Sequence, residues 1–575
     1  MAVTKAKRVR IGELLVGSGC ITDAQLGAAL AEQKTSNLRL GEQVVKLGFV
    51  TEQQLFEILG QHFGVPCINL KQYPFTPEAA RALPEIPARR HNAVLLGKDS
   101  DGAPLVGMVD PGDLHAYDQL AQALKRPFRA ALVNARDVAL AHDLIYRRTE
   151  EISTLAGTLR EELAGGDAAA ARPTVAGDTA VDRLLQSLFR DAVQVQASDI
   201  HIEPEERLLR IRQRVDGVLQ ETILEQGRIS SALVTRLKLM AGLDISEKRM
   251  PQDGRFNMIV GGRTLNVRLS TLPVQFGEGV VMRLLDQESK LLGLAELGMA
   301  GEVHERFRQI IRRRHGLVLV TGPTGSGKTT TLYAALSEIN SEDQKIITVE
   351  DPVEYRLPRI SQVQVQHRIG LDFARVLRSA LRQDPDIIMI GEMRDRETQE
   401  IALRAAMTGH LVFSTLHTNN ALSSVDRLID MGAEGYLVAA SLISVLSQQL
   451  VRRVCSACAV QDPLDDRQRG WLRAVVPAGG ERPAYRCGGG CVRCHGTGYR
   501  GRVGLYELLT MDAPMADALR RMDLAAFADA ARVQTGYRPL LAAGLDYAAA
   551  GVTTVHEVMR VAEEIKHGGG MAETR

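Results

Sequence analysis

At 575 residues the chain is too long for one hydrophobic core, and about 150 residues per domain points to about four domains. Hydrophobic residues at 45% and charged residues at 24% exclude disorder over most of the length. With 70 Lys and Arg against 69 Asp and Glu, the net charge of +1 excludes a global field that would draw the chain onto nucleic acid or anionic lipid. The start, Met1 to Arg8, lacks the apolar core of a signal peptide. The longest apolar stretch, 437–451, is interrupted by Ser441, Ser444, Ser447, Gln448 and Gln449, so it cannot supply the roughly 20 residues of a spanning helix. A cytoplasmic location is expected, with membrane contact only through partners.

Residues 1–65 contain an internal repeat. Arg10-Ile11-Gly12 recurs as Arg39-Leu40-Gly41, and the same offset relates Leu15 to Val44, Gly19 to Gly48, Leu26 to Leu55 and Leu30 to Leu59. Each copy predicts a short helix, a turn at the second glycine, and a second helix capped by Thr22 or Thr51. Leu26, Leu30 and Gln33 then share a helical face, as do Leu55, Leu59 and His62. A helical hairpin packed on its twin accounts for the leucines. It leaves the recurring Arg and Gly unexplained, and a guanidinium beside bare backbone at a helix start suits a phosphate or a flat base.

Residues 66–150 read as the remainder of a first, mixed domain, with strands at 93–97 and 105–109 and a turn at Asp110-Pro111-Gly112. A flexible linker is expected over 151–179, where Ala164 to Thr179 is rich in Ala, Gly and Asp. A second mixed domain follows at 180–290, with alternating strands at 208–215 and 263–269. Between 291 and 450 short apolar runs alternate with helical stretches, as a parallel sheet requires. A cysteine-bearing segment occupies 451–505 and a helical tail 506–575.

Within the 291–450 core, the buried-strand run Leu317 to Val320 precedes Gly322-Pro323-Thr324-Gly325-Ser326-Gly327-Lys328-Thr329-Thr330 and then a helical sequence. This is the P-loop pattern in its strand–loop–helix context. Its glycines let amides converge on phosphates, Lys328 meets the β and γ oxygens, and Thr329 ligates magnesium. Strand Ile387 to Ile390 ends in Gly391-Glu392, placing Glu392 to complete the magnesium shell or orient water. Strand Ile346 to Val349 delivers Glu350, the candidate for polarising the attacking water. His417, beyond the strand at 411–413, is placed to contact the γ-phosphate.

Five of the seven cysteines fall between 455 and 494, as Cys455-x-x-Cys458 and Cys491-x-x-Cys494 with Cys487 nearby. Paired knuckles of this kind favour a structural tetrahedral zinc, redox cysteines being the alternative and Cys487 a competing ligand. Cys20 and Cys67 have no ligand spacing and are expected in the core.

The P-loop, Val349-Glu350-Asp351-Pro352-Val353-Glu354, Gly391-Glu392-Met393-Arg394-Asp395 and Ser414-Thr415-Leu416-His417-Thr418-Asn419 resemble the motifs of the secretion ATPase superfamily of type II secretion and type IV pili. Ala197 to Pro204 and Arg210 to Gly217 are similar to that family's second amino-terminal domain. The resemblance implies a multidomain α/β protein. A helical repeat and a mixed α/β domain would precede a RecA-like ATPase core with a zinc-binding insert. It further implies a homohexamer using ATP and Mg2+, acting with an inner-membrane platform protein and a membrane-docking protein. Arg210, Arg212, Arg214, Arg268 and Arg283 become candidate nucleotide-binding arginines. Where the family usually has Gln-Arg-Leu, this chain has Gln448-Gln449-Leu450. The cysteine insert resembles that of the assembly branch.

The tandem repeat resembles the cyclic-di-GMP-binding module of the MSHA-pilus type of these ATPases. That resemblance implies that Arg10, Ile11, Gly12, Leu15, Leu26, Leu30 and Gln33, with Arg39, Leu40, Gly41, Leu55 and Leu59, hold the dinucleotide. The second copy departs from the pattern at Val44 and His62. A docking domain for a membrane partner is the other reading of the repeat, and a RecA-like nucleic-acid translocase is the other reading of the core.

Overall fold

The structure, a computed structural model, describes residues 11–36, 40–70, 73, 77–99, 101–145, 149–164, 179–225, 229–286, 292–476, 483–494 and 496–568. Arg10 and Arg39 lie outside these residues, as does the side chain of Ile11.

Helices Ile11–Gly17 and Asp23–Ser36 form the first repeat copy, and Leu40–Lys46 and Glu52–Phe63 the second. Gly19 and Gly48 turn each pair at φ +73°, a left-handed conformation that a Cβ disfavours. Thr51 accepts from Gln54 N and receives the Gln54 side chain on its own amide, and Thr22 and Gln25 make the same capping box. Leu15, Ile21, Val44 and Val50 are buried, with Leu26, Leu40 and Leu55 packed on them. Gly12 and Gly41 have a packing role, since a Cβ on either would stand 2.8 Å from Leu26 Cδ1 or 3.1 Å from Leu55 Cδ2. Leu30 is 43% exposed, whereas Gln33 and Leu59 are half-buried.

Ile68 N donates to Leu132 O and Leu132 N to Pro66 O, each at 2.9 Å, so residues 66–68 lie along the edge of a three-stranded sheet. Its strands are Ala93–Lys98, Pro104–Met108 and Arg129–Leu132. Edge placement leaves Cys67 exposed, which corrects the expectation of a core cysteine; Cys20 is half-buried against the repeat's core.

The expected linker at 151–179 is shorter than its composition suggested. Thr149–Ala164 is a helix whose Ile152, Ala156 and Leu159 are buried in one cluster with Leu184, Leu188 and Phe189 of helix Ala180–Gln194. The remaining 165–178 lie outside the described residues. Behind these helices stands a six-stranded antiparallel sheet in the order 218–225, 208–215, 199–204, 277–286, 263–274, 252–260.

The third sheet has seven strands in the order 360–364, 346–350, 387–390, 411–416, 316–321, 442–454, 499–510. The first six run parallel and the last antiparallel. Strands Gly316–Thr321, Ile346–Glu350, Ile387–Ile390 and Leu411–Leu416 are buried throughout, as apolar runs covered on both faces must be. Leu442–Val454 pairs along its length with Tyr499–Thr510, so the boundaries expected at 451 and 505 move. The cysteine-bearing segment is an excursion over 455–498 between two strands of one sheet. Helices Ala513–Arg520, Leu524–Arg532, Leu540–Ala549 and Val555–Gly568 follow. Among the described residues no helix is long and apolar enough to cross a membrane. The apolar stretch at 437–451 divides between helix Gly435–Ser441 and strand Leu442–Val454.

Candidate nucleotide site and cysteine cluster

The central strand Gly316–Thr321 delivers the loop at 322–327 to the start of helix Lys328–Ile339. Gly322 has φ +148°, Gly325 +81° and Gly327 +88°. A Cβ on Gly322 would sit 2.2 Å from Gln448 O, so only glycine fits there. Pro323 is half-buried, while Thr324, Gly325, Thr329 and Thr330 are exposed along an open rim. Ser326 is 3% exposed, and its buried Oγ has no hydrogen-bond partner among the described residues.

Lys328 Nζ donates to Gly322 O at 2.8 Å and Pro323 O at 3.0 Å, and stands 3.5 Å from His417 Nδ1. Burial lowers its pKa to about 8 against the opposing pull of the Glu392 carboxylate. Glu392 follows strand Ile387–Ile390, pairs with Arg394, and has Oε2 3.6 Å from His417 Nε2. Burial first and Lys328 second push the His417 pKa below its ordinary value, which favours the neutral ring. An ammonium can only donate, so Nδ1 is the acceptor and the ring proton sits on Nε2, facing Glu392. The C-terminal ends of three neighbouring strands thus bring Lys328, Glu392 and His417 together.

Glu350 is not part of that group. It is 3% exposed and accepts from the Tyr333 hydroxyl, from Thr348 Oγ1 at 2.5 Å and from Gln362 Nε2 at 3.2 Å. Its carboxylate is turned into the sheet and ties the P-loop helix to it. Among the candidate arginines, Arg210 pairs with Glu205 and Glu221, Arg212 with Glu203, and Arg214 and Arg283 with Asp199. Arg268 alone of these reaches the ATPase sheet's domain, with Nη1 3.2 Å from Glu354 Oε1 and Nη2 on the other oxygen.

The sulfurs of Cys455, Cys458, Cys491 and Cys494 all lie within 4.8 Å of one another. The 455–491 and 458–494 separations are 3.8 Å and the 491–494 separation is 3.7 Å. A tetrahedral ion with bonds of about 2.3 Å sets its sulfurs about 3.8 Å apart, so this arrangement fits one ion with four thiolates. Hydrogen bonding within the cluster moves its thiols in opposite directions: the Cys491 thiol, aided by the amides of Cys491 and Gly498, lowers the Cys494 pKa, and the same contact raises that of Cys491. Cys487 stands apart, on a short strand with Sγ 4.0 Å from Gln461 O.

Sequence reasoning missed Gln448 and Tyr333. Gln448, 1% exposed, accepts from Thr331 Oγ1 and donates to Ser326 O, both at 2.7 Å. The only signal was a pair of amides inside an apolar run, where an unmet polar group would be costly.

Residues 174–560 match the family model described as Type II/IV secretion system protein, and residues 63–152 match the MshEN domain. The latter match falls on the three-stranded domain, C-terminal to the tandem repeat. The Type IV pilus assembly ATPase PilB of Myxococcus xanthus is 40% identical over 570 residues, 96% of this chain and 98% of that protein. The Type II secretion system protein E of Xanthomonas campestris pv. campestris is 42% identical over 524 residues, 88% of this chain and 90% of that protein. A solved structure of MshE with cdg is 35% identical and covers 24% of this chain and 100% of its own, with a TM-score of 0.23. The chain belongs to the Type II/IV secretion system protein family and is one of its ATPases, with an MshEN domain ahead of the ATPase core.

Proposed function

We propose that this ATPase powers assembly of a type IV pilus or a type II secretion pseudopilus. It works as a cytoplasmic homohexamer peripheral to the inner membrane, acting on a platform protein, held by a membrane-docking protein, and moving no nucleic acid. The observation that carries the reading is the gathering of Lys328, Glu392 and His417 beside an open glycine loop. The amides of the glycine loop and of the first turn of its helix, Lys328 and the Ser326 hydroxyl, which has no partner among the described residues, suit the triphosphate of ATP. Thr329 and Glu392 would hold magnesium, which when bound neutralises phosphate charge. Glu392 completes the magnesium shell or orients water and the neutral His417 meets the γ-phosphate, while Glu350, tied to the P-loop helix through Tyr333, polarises the attacking water. The arginines enter from their sheet once released from their carboxylates.

The four-cysteine cluster holds zinc in a purely structural role, because four thiolates leave no open position. Cyclic-di-GMP binds the tandem repeat and tunes the motor; two helical hairpins in tandem with glycines at matching places support this. The test is ATP turnover with magnesium by the purified chain. Wild type should release phosphate without added DNA, Lys328→Ala should lose turnover by at least about a hundredfold, and cyclic-di-GMP should give binding heat with the full chain. An active Lys328→Ala sinks the site, DNA-dependent turnover favours a translocase, and absent heat removes the dinucleotide.

A further inference from the structure

Gln448 lies outside the phosphate loop itself, on strand Leu442–Val454, which runs parallel to the P-loop strand with Leu446 beside Val320. Its side chain has one possible orientation. Ser326 O can only accept, so Nε2 must face it, and Oε1 is then left for the Thr331 hydroxyl. A peptide unit is planar and trans, so fixing the Ser326 carbonyl on one side aims the Gly327 amide to the opposite side. Gln448's own carbonyl backs the start of the loop, where a Cβ added to Gly322 would stand 2.2 Å from it. A single residue therefore bonds the far end of the phosphate loop with its side chain and leaves no room for a side chain at its start.

We propose that Gln448 is a positioning residue for ATP hydrolysis, which sets the Ser326–Gly327 peptide so that the Gly327 amide points at phosphate. This rests on the P-loop reading above. It assigns a task to the first Gln of Gln448-Gln449-Leu450 and requires nothing of position 449. With the amide gone the loop retains its glycines and Lys328 but samples peptide orientations that aim the Gly327 N–H elsewhere. The loss then falls on nucleotide capture more than on the chemical step.

Two variants test this in the full chain. Gln448→Met keeps the length and removes both bonds; KM for ATP should rise about tenfold or more while kcat stays within about threefold. Gln448→Glu keeps the acceptor and regains a donor only when protonated, so its KM should approach the wild-type value as pH falls from about 8 to about 6. Two titratable groups stand close by. Tyr506, opposite Gln448 on the antiparallel strand, has its pKa raised by burial and stays neutral, and Lys328 on the P-loop helix is common to wild type and variant. The ratio of variant to wild-type KM therefore isolates position 448. Unchanged KM in Gln448→Met, or a ratio flat with pH in Gln448→Glu, overturns the proposal while wild-type turnover leaves the ATPase reading standing. If Gln448→Met fails to fold, the pH ratio alone decides. Should wild type itself not hydrolyse ATP, the underlying reading fails instead.

Discussion

Lys328 must be charged to bind phosphate, yet burial holds its pKa down to about 8, with Glu392 the opposing influence. The charged form is thus present below that value and lost above it. Since kcat/KM reports the free enzyme, it should fall about tenfold for each pH unit above about 8. Once ATP is bound its negative charge restores the ammonium, so kcat should remain level over the same range. A kcat/KM that stays flat to about pH 9 would show that Lys328 does not govern capture. Glu350 shows what residue-scale reading from sequence leaves open. It occupies the end of a strand, as Glu392 does, but position along a strand does not fix which way a side chain turns. Tyr333, five positions beyond Lys328 on the P-loop helix, supplies the hydroxyl that draws Glu350 inward.

At the scale of elements, the P-loop strand and its parallel neighbours were legible because a strand buried on both faces needs an unbroken apolar run. Helix Thr149–Ala164 is masked in the sequence by the linker composition just beyond it, although Ile152, Ala156 and Leu159 carry helical spacing. The pairing of Leu442–Val454 with Tyr499–Thr510 was hidden by the insertion between them, since nothing local to either strand reports a partner so distant in sequence. That pairing gives the cysteine cluster mechanical weight. Cys455 follows directly on one strand, and the Gly498 carbonyl, which accepts from Cys455 N at 3.0 Å, leads into the other. If the proposed zinc is bound there, a chelator should let the four thiols separate and fray these strand ends. The thermal midpoint should drop by several degrees, as about 1 kcal/mol shifts a domain of 150–250 residues by about 2–4 °C. Stoichiometric zinc release with an unmoved midpoint would deny the cluster a structural role.

At the scale of the whole molecule, the polar contacts from the second domain to the ATPase core among the described residues include Arg268 on Glu354, and Gly501 N on Asp216 Oδ2 at 3.0 Å. The sequence offered five arginines without ranking them, because alternation along a strand does not reveal what the sheet faces. In the folded chain Arg210, Arg212, Arg214 and Arg283 are held by carboxylates of their own domain, which leaves Arg268 as the one in contact with the core. Its partner is connected further, since Glu354 N donates to the Tyr333 hydroxyl at 3.3 Å and that hydroxyl serves Glu350. One chain of polar contacts therefore runs from the second domain's sheet to the P-loop helix. Glu354→Ala would remove the bidentate acceptor and leave Arg268 with only water. A half-buried charged pair of this kind is worth about 1–3 kcal/mol, which converts to roughly five- to hundredfold in the opening equilibrium. Hydrogen exchange should accordingly accelerate by about tenfold across strand 263–274 and around Asp216. Arg210→Ala, whose partners lie within its own sheet, should leave exchange at 263–274 unchanged. Equal acceleration in both variants would mean that the domain simply loosens with any lost charge, and that Arg268 is not what fastens it to the core.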